Sequence, residues 1–205
     1  MYYFHQDGGL DPLFLDADEP SDSHVYDPAA PVPTVGDLNL FLKKDPYDQR
    51  ELESRDDVLT NTIAPLETPI AVAGPISVSL WASSSAEDTD YMAKLCDVYP
   101  DGRSMLILDA AIRTRFRDGF RSESFMTPGQ SYRFDIKLGH TALAFGKGHR
   151  VRVDISSSNS PRFHPNPNTA TPFHTDSVGV IATNTIYHDE TRRSALVLSI
   201  LPLDH

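Results

Sequence analysis

The chain has 205 residues, 40% of them hydrophobic, which is enough for a sizeable core. Its formal net charge is −11, from 29 acidic and 18 basic residues. That balance argues against nucleic-acid binding, which needs a basic surface to neutralise phosphates, and against an anionic membrane face. A single cysteine, Cys96, excludes an intramolecular disulfide framework and a zinc site built on cysteines.

The 16 prolines and 11 glycines suit strands broken by turns rather than long helices. Residues 1–60 read as an irregular N-terminal segment. Tyr2 to Phe4 can form a short strand, Gly8 and Gly9 turn the chain, and Asp16 to Asp22 is acidic. Asp27 to Asp37 carries three prolines and must be extended or turning. Two readings stand for this segment, a solvated tail or an ordered cover. Tyr26, Val32, Val35, Leu38, Leu40, Phe41 and Leu42 favour the cover, because a free linker has no use for so many apolar side chains. Asp45 to Asp57 is a short surface helix or a loop.

Residues 61–205 carry the β pattern. Ile76 to Ala82 alternates, with Gly74-Pro75 at its entry and another apolar stretch before it. Tyr91 to Tyr99 has two mixed faces, as at a position covered by another layer. Pro100-Asp101-Gly102 turns the chain. Met105 to Leu108 and Ile112 to Phe116 resume the pattern, and Tyr132 to Leu138 alternates cleanly, followed by Thr141 to Phe145. Gly148 to Phe163 is the strongest stretch. Val151, Val153 and Ile155 face a core; Arg150, Arg152, Asp154 and Ser156 face water. Val178 to His188 and Ala195 to Leu201 are the last strands expected. About eight strands with joins of unequal length predict an all-β sandwich with jelly-roll or Greek-key crossings.

The search for chemistry finds little. The eight histidines show no metal-ligand spacing within one element; only His164 and His174, in one loop, can meet. Asp88-Thr89-Asp90 lacks the further carboxylates and turn glycine of a calcium loop and reads as a turn entering a strand. There is no G-x-S-x-G, and Ser156 to Ser158 end a strand without an elbow. There is no glycine-rich phosphate loop. Cys96 alternates inside a strand and reads as a buried, inert thiol. No catalytic residue, metal or cofactor is expected. Neither a signal peptide nor an apolar span is visible. Location is left open, with a cytoplasmic one preferred.

Three stretches together carry a family resemblance. Ser79 to Gly102 (SLWASSSAEDTDYMAKLCDVYPDG), Ala111 to Gly119 (AIRTRFRDG) and Gly148 to Thr169 (GHRVRVDISSSNSPRFHPNPNT) resemble the C-terminal domain of X-Pro dipeptidyl-peptidases and cocaine-esterase-like serine hydrolases. Tyr26 to Asp37 and Arg55 to Leu59 look like that family's approach to the domain. The departures are Asp37, Ala110, Gly139-His140 and Ser160, where the family more often has glycine, glycine, a tryptophan-proline pair and a bulky apolar residue. The resemblance implies a jelly roll similar to galactose-binding-like modules. It also implies that nucleophile, aspartate and histidine reside in an α/β-hydrolase domain preceding Met1. This chain is then a non-catalytic domain that packs on the catalytic one and helps wall its pocket, in an enzyme of the peptidase, acylase or esterase kind. The competing reading is a free-standing carbohydrate- or ligand-binding sandwich using Trp81, Tyr91 and Tyr99.

Arg113, Arg115 and Arg117 alternate, so a continuing strand displays them as a basic stripe, paired with acids on a wet face or turned to a partner. Phe120 and Phe125 follow in one loop. Arg162, Phe163, Asn166, Asn168 and Phe173 sit in another, stiffened by proline. Arginines and aromatics of this kind favour a docking face. Left uncovered, such a face drives self-association; packing of the same loops inside the domain is the alternative.

Overall fold

Alternating apolar residues set the strands, and the computed structural model describes them over residues 1–14, 19–36, 47–172 and 178–202. In chain order they are β1 (Tyr2–His5), β2 (Gly9–Asp11), β3 (Asp22–Tyr26), β4 (Leu59–Thr62), β5 (Ile70–Ser84), β6 (Asp90–Val98), β7 (Ser104–Arg113), β8 (Tyr132–Phe145), β9 (Arg150–Ser156), β10 (Ala182–Tyr187), β11 (Ala195–Val197) and β12 (Ile200–Leu201). One short helix, α1 (Arg50–Glu53), is present among the described residues. The architecture is an all-β sandwich of jelly-roll type.

β5 organises one layer. Along one edge it pairs antiparallel with β8, from Ile70 opposite Phe145 to Ala82 opposite Tyr132. Along the other it meets β12, β11 and β10 in succession. β3 extends this layer from β10, and β1 and β2 extend it from β11. The second layer is antiparallel, in the order β4, β9, β6, β7. The layers are joined by one parallel contact, Gly9 opposite Thr62. Gly8 makes that seam possible: its φ is +77°, and a Cβ there would lie 2.4 Å from the Thr60 carbonyl oxygen.

The core lies between the layers. β5 supplies Val78, Leu80 and Ala82, and β8 supplies Phe134, Ile136 and Leu138. Tyr91, Ala93 and Leu95 of β6 face them with Val151, Val153 and Ile155 of β9. Each large side chain so buried contributes about 1.5–3 kcal/mol relative to exposure. Tyr91 tucks its hydroxyl onto the Ser83 carbonyl at 2.8 Å, so its polar end is satisfied inside the core.

Several expectations change. The described part of residues 1–60 is more regular than its composition suggests, because β1 and β3 pair with strands from the far end of the chain and β2 pairs with β1. The stretches on either side of Gly74-Pro75 form one strand, as do those on either side of Gly139, whose φ of +119° accommodates a register shift near Ile76. Residues 104–113 form one strand, whereas Thr114–Phe116 is a 3-10 turn. Residues 178–181 lie outside any strand, and the last expected strand is split between β11 and β12. The outward face of β9 is not uniformly wet. Arg150 is exposed, but Asp154 and Ser156 are buried. Leu38, Leu40, Phe41 and Leu42 lie outside the described residues.

Phe134→Ala should destabilise the chain by about 3–5 kcal/mol, the usual cost of removing a fully buried phenylalanine. Phe120→Ala should change stability by no more than about 0.5 kcal/mol, because that side chain is exposed. Urea unfolding of both variants checks the assignment, and equal costs would contradict it.

Candidate functional site

The arginine segment leaves its strand. Arg113 ends β7 directly opposite Asp90, the first residue of β6. Its guanidinium grips that carboxylate as a fork, Nε to Oδ1 and Nη2 to Oδ2, both at 2.8 Å. The 3-10 turn at Thr114–Phe116 then rotates Arg115 into the interior, where it is only 2% exposed. The expected stripe of three arginines on one strand face is therefore not formed.

Arg115 meets Asp88, which is fully buried. Asp88 Oδ2 accepts from Arg115 Nε at 2.8 Å and from Asn166 Nδ2 at 2.8 Å. Asp88 Oδ1 accepts from the Thr114 hydroxyl at 2.8 Å and the Arg115 amide at 2.9 Å. The Asn166 amide also reaches Asp90 Oδ1 at 2.9 Å, so one side chain ties both carboxylates together. Burial pushes the Asp90 carboxyl above the usual range, against the opposing pull of Arg113. Asp88-Thr89-Asp90 thus serves as the acidic half of a buried ion-pair network.

The same network anchors two loops. Arg115 Nη1 donates to the Thr171 carbonyl at 2.9 Å and to Glu123 at 3.0 Å, and Nη2 donates to the Thr169 carbonyl at 2.7 Å. Its guanidinium lies over the Phe125 ring, 4.9 Å from the centroid. Arg113 adds a bond to the His164 carbonyl at 2.9 Å. Tyr26 donates to the Asn166 carbonyl at 3.0 Å. Asn168 adopts φ +61° and donates to the Val180 carbonyl at 2.8 Å. Arg117 donates to the Thr114 and Ser124 carbonyls and covers Tyr132 at 4.7 Å. Arg162 pairs with Asp109 at 3.1 Å and lies over Phe163 at 5.1 Å.

The sequence-predicted residues therefore divide into two groups. Arg113, Arg115, Asn166 and Asn168 work inside the domain as anchors. Phe120, 91% exposed, stands out from the first loop beside Phe116, with ring centroids 5.8 Å apart. Phe125 and Phe163 are half-buried. Phe173 and His174 lie outside the described residues; His164 is exposed and bonds the Pro165 carbonyl. The carbohydrate trio is not assembled, because Tyr91 is a core residue. Trp81 lies in a shallow groove of about 350 Å³ with Ser79, Arg133, Asp135 and Glu190, and Tyr99 packs on His149 at 4.5 Å.

One pair went unseen in the sequence, because its members are 133 residues apart. Ser157 Oγ and His24 Nε2 lie 2.9 Å apart. Asn184 donates to Ser157 Oγ at 2.7 Å, so the serine oxygen is held between the amide and the imidazole. This is not a catalytic dyad. Ser157 is 1% and His24 2% exposed, and no hydrogen-bond partner orients His24 Nδ1. Burial holds the His24 imidazole down at about 4. No catalytic triad occurs among the described residues. Cys96 is a buried thiol, and burial raises it well above its ordinary range.

Residues 4–197 match the family model of the X-Pro dipeptidyl-peptidase C-terminal non-catalytic domain. The chain belongs to this family. As an X-Pro dipeptidyl-peptidase C-terminal domain it is 37% identical over 198 residues to a cocaine esterase of Rhodococcus sp. (strain MB1 Bresler), covering 95% of this chain and 34% of that protein. An alpha-amino acid ester hydrolase structure superposes with a TM-score of 0.89 at 30% identity, over 98% of this chain and 36% of that one. An aminopeptidase from a marine sediment Thaumarchaeota archaeon gives 0.90 at 28% identity, over 98% and 36%. The domain thus spans about a third of the length of each of these relatives. Its family role is that of a non-catalytic accessory domain, which agrees with the sealed Ser157–His24 pair. No described helix is long and apolar enough to cross a membrane.

Asp88→Ala should cost about 3–5 kcal/mol, because it strands the buried Arg115 charge. Arg133→Ala, which breaks an exposed pair with Asp135, should cost under about 1 kcal/mol. Denaturant unfolding separates the two. A pH dependence follows from His24. Above pH 6.5 the ring is neutral in both folded and unfolded chains and has no effect. As pH falls from 6.5, its ordinary value, to about 4, the unfolded chain takes up a proton that the folded one refuses. Stability contributed by the neutral ring is lost over that window, by about 3 kcal/mol. His24→Gln should flatten this acid limb in a pH series of unfolding curves; an unchanged limb would contradict the assignment.

Proposed function

We propose that the end of the sandwich bearing residues 117–126 and 162–172 docks on an α/β-hydrolase catalytic domain and helps to wall its substrate pocket. The observation that carries this reading is Phe120. A phenylalanine that is 91% exposed, on a loop anchored through Arg115 to the sheet ends, is poised for a partner surface. The neighbouring loop is rigid for the same reason, so its half-buried Phe163 is held in place before any partner arrives. Arg113, Arg115, Asn166 and Asn168 act in docking by fixing these loops, and Arg117, Phe125 and Arg162 complete the candidate face.

The chemistry of the assembled protein belongs to the catalytic domain. The relatives named above are an esterase, an ester hydrolase and an aminopeptidase, which supports reading the parent activity as that of a serine hydrolase of acyl compounds. X-Pro dipeptidyl-peptidase activity is one member of that range. Without its partner, the same face would favour self-association.

The test is association with the catalytic domain of the same protein, supplied as a separate chain and followed by calorimetry. Phe120→Ser and Phe163→Ser should each weaken binding about tenfold or more, as loss of an interface aromatic does, while costing the free sandwich under about 1 kcal/mol. Unchanged affinity in both variants would place the interface elsewhere.

A further inference from the structure

Glu53 of α1 reaches the outer face of β6 and β9, in a buried group that the proposed docking role does not use. Cys96 of β6, Asp154 of β9 and Glu53 of α1 each present a ligand atom there, and the three atoms lie within 4.8 Å of one another. Cys96 is fully buried, Asp154 is 3% exposed and the Glu53 side chain 6%. The thiol lies 3.7 Å from Asp154 Oδ2, and Arg152 pairs with Glu53 Oε2. The other two oxygens, Asp154 Oδ1 and Glu53 Oε1, are buried and accept no hydrogen bond.

Bare buried carboxylate oxygens are costly, and such atoms mark an unfilled position. Lys94, directly cross-strand from Asp154, does not fill it. Its ammonium donates to Gln49 Oε1 at 3.1 Å and forms no ion pair among the described residues.

We propose that Glu53, Cys96 and Asp154 hold a divalent cation of the zinc type, taken up as the chain folds. Binding would release the thiol proton to solvent and form three bonds, from the thiolate sulfur and from one oxygen of each carboxylate. The Ser104 hydroxyl, beside the Cys96 thiol, or a water supplies the fourth position. A sulfur ligand among oxygens selects zinc over calcium or magnesium. Zinc bonds of roughly 2.0–2.3 Å need the side chains to close on the ion by small rotations. The site is sealed, so the ion's role is structural: it clamps α1 onto the sandwich. Sequence spacing could not reveal it, because each ligand comes from a different element.

The chain is unfolded in denaturant with chelator, then refolded with zinc, with cobalt or with chelator alone. The expected result is about one metal per chain, a melting temperature several degrees above that of the chelated form, and a near-ultraviolet thiolate-to-cobalt band. Cys96→Ala, with a folded circular dichroism spectrum, should lose both band and metal; Asp154→Asn should lose the metal. If Cys96→Ala fails to fold, the cobalt band of the unaltered chain still reports the thiolate. Equal melting temperatures with and without metal, cobalt uptake without the band, or equal uptake by Cys96→Ala would each overturn the proposal. A proton shared between the two carboxyls would then be the occupant.

Discussion

The buried guanidinium of Arg115 sets the constraint on which the loop-bearing end depends. A charge that leaves water must find its full complement of partners inside the protein. Arg115 finds them in Asp88, Glu123 and the carbonyls of Thr169 and Thr171. Those partners come from the entry to β6, from the loop after β7 and from the loop after β9. Satisfying one side chain therefore fixes three segments relative to each other. Asn166 extends the constraint to Asp90, and through Asp90 to Arg113. The hydrophobic sandwich supplies the driving force for folding, but this polar network decides where the two loops stand.

That division also explains how much was legible in the sequence. Period-two alternation is a local signal, and it found β5, β6, β8 and β9 together with their core residues. It failed where a glycine or proline sits within a strand, as at Gly74-Pro75 and Gly139, because such residues normally end one. It found β1 as a short strand at Tyr2 to Phe4 but missed β2 and β3, which are short and gain their places only from pairing with β1 and β10. The arginines were found by residue type but not by direction. Their spacing of two implies a shared face only if the strand continues, and the turn at Thr114–Phe116 ends it. Asp154 was read as facing water because alternation cannot see what covers a sheet's second face. The Ser157–His24 pair and the Glu53–Cys96–Asp154 group were beyond local pattern altogether. The family, by contrast, was readable from three motifs in order, and the full-chain match agrees with them.

A sandwich built this way has little scope for chemistry of its own. Its serine–histidine contact is sealed, its thiol is buried, and its paired carboxylates are committed to arginine and asparagine. What remains available is shape: aromatic side chains on loops whose backbones are pinned from below. Pre-organised loops lose little conformational freedom on association, so the domain can define the rim of a neighbouring pocket without having to order itself first. Membership of a non-catalytic domain family and the absence of a catalytic triad among the described residues point the same way.

Amide hydrogen exchange, measured on the chain alone and with the catalytic domain of the same protein, tests this account most directly. Added partner should slow exchange in residues 117–126 and 162–172 while leaving the outer face of β5 around Trp81 unchanged. Protection confined to the Trp81 face, or no protection in either loop, would contradict it.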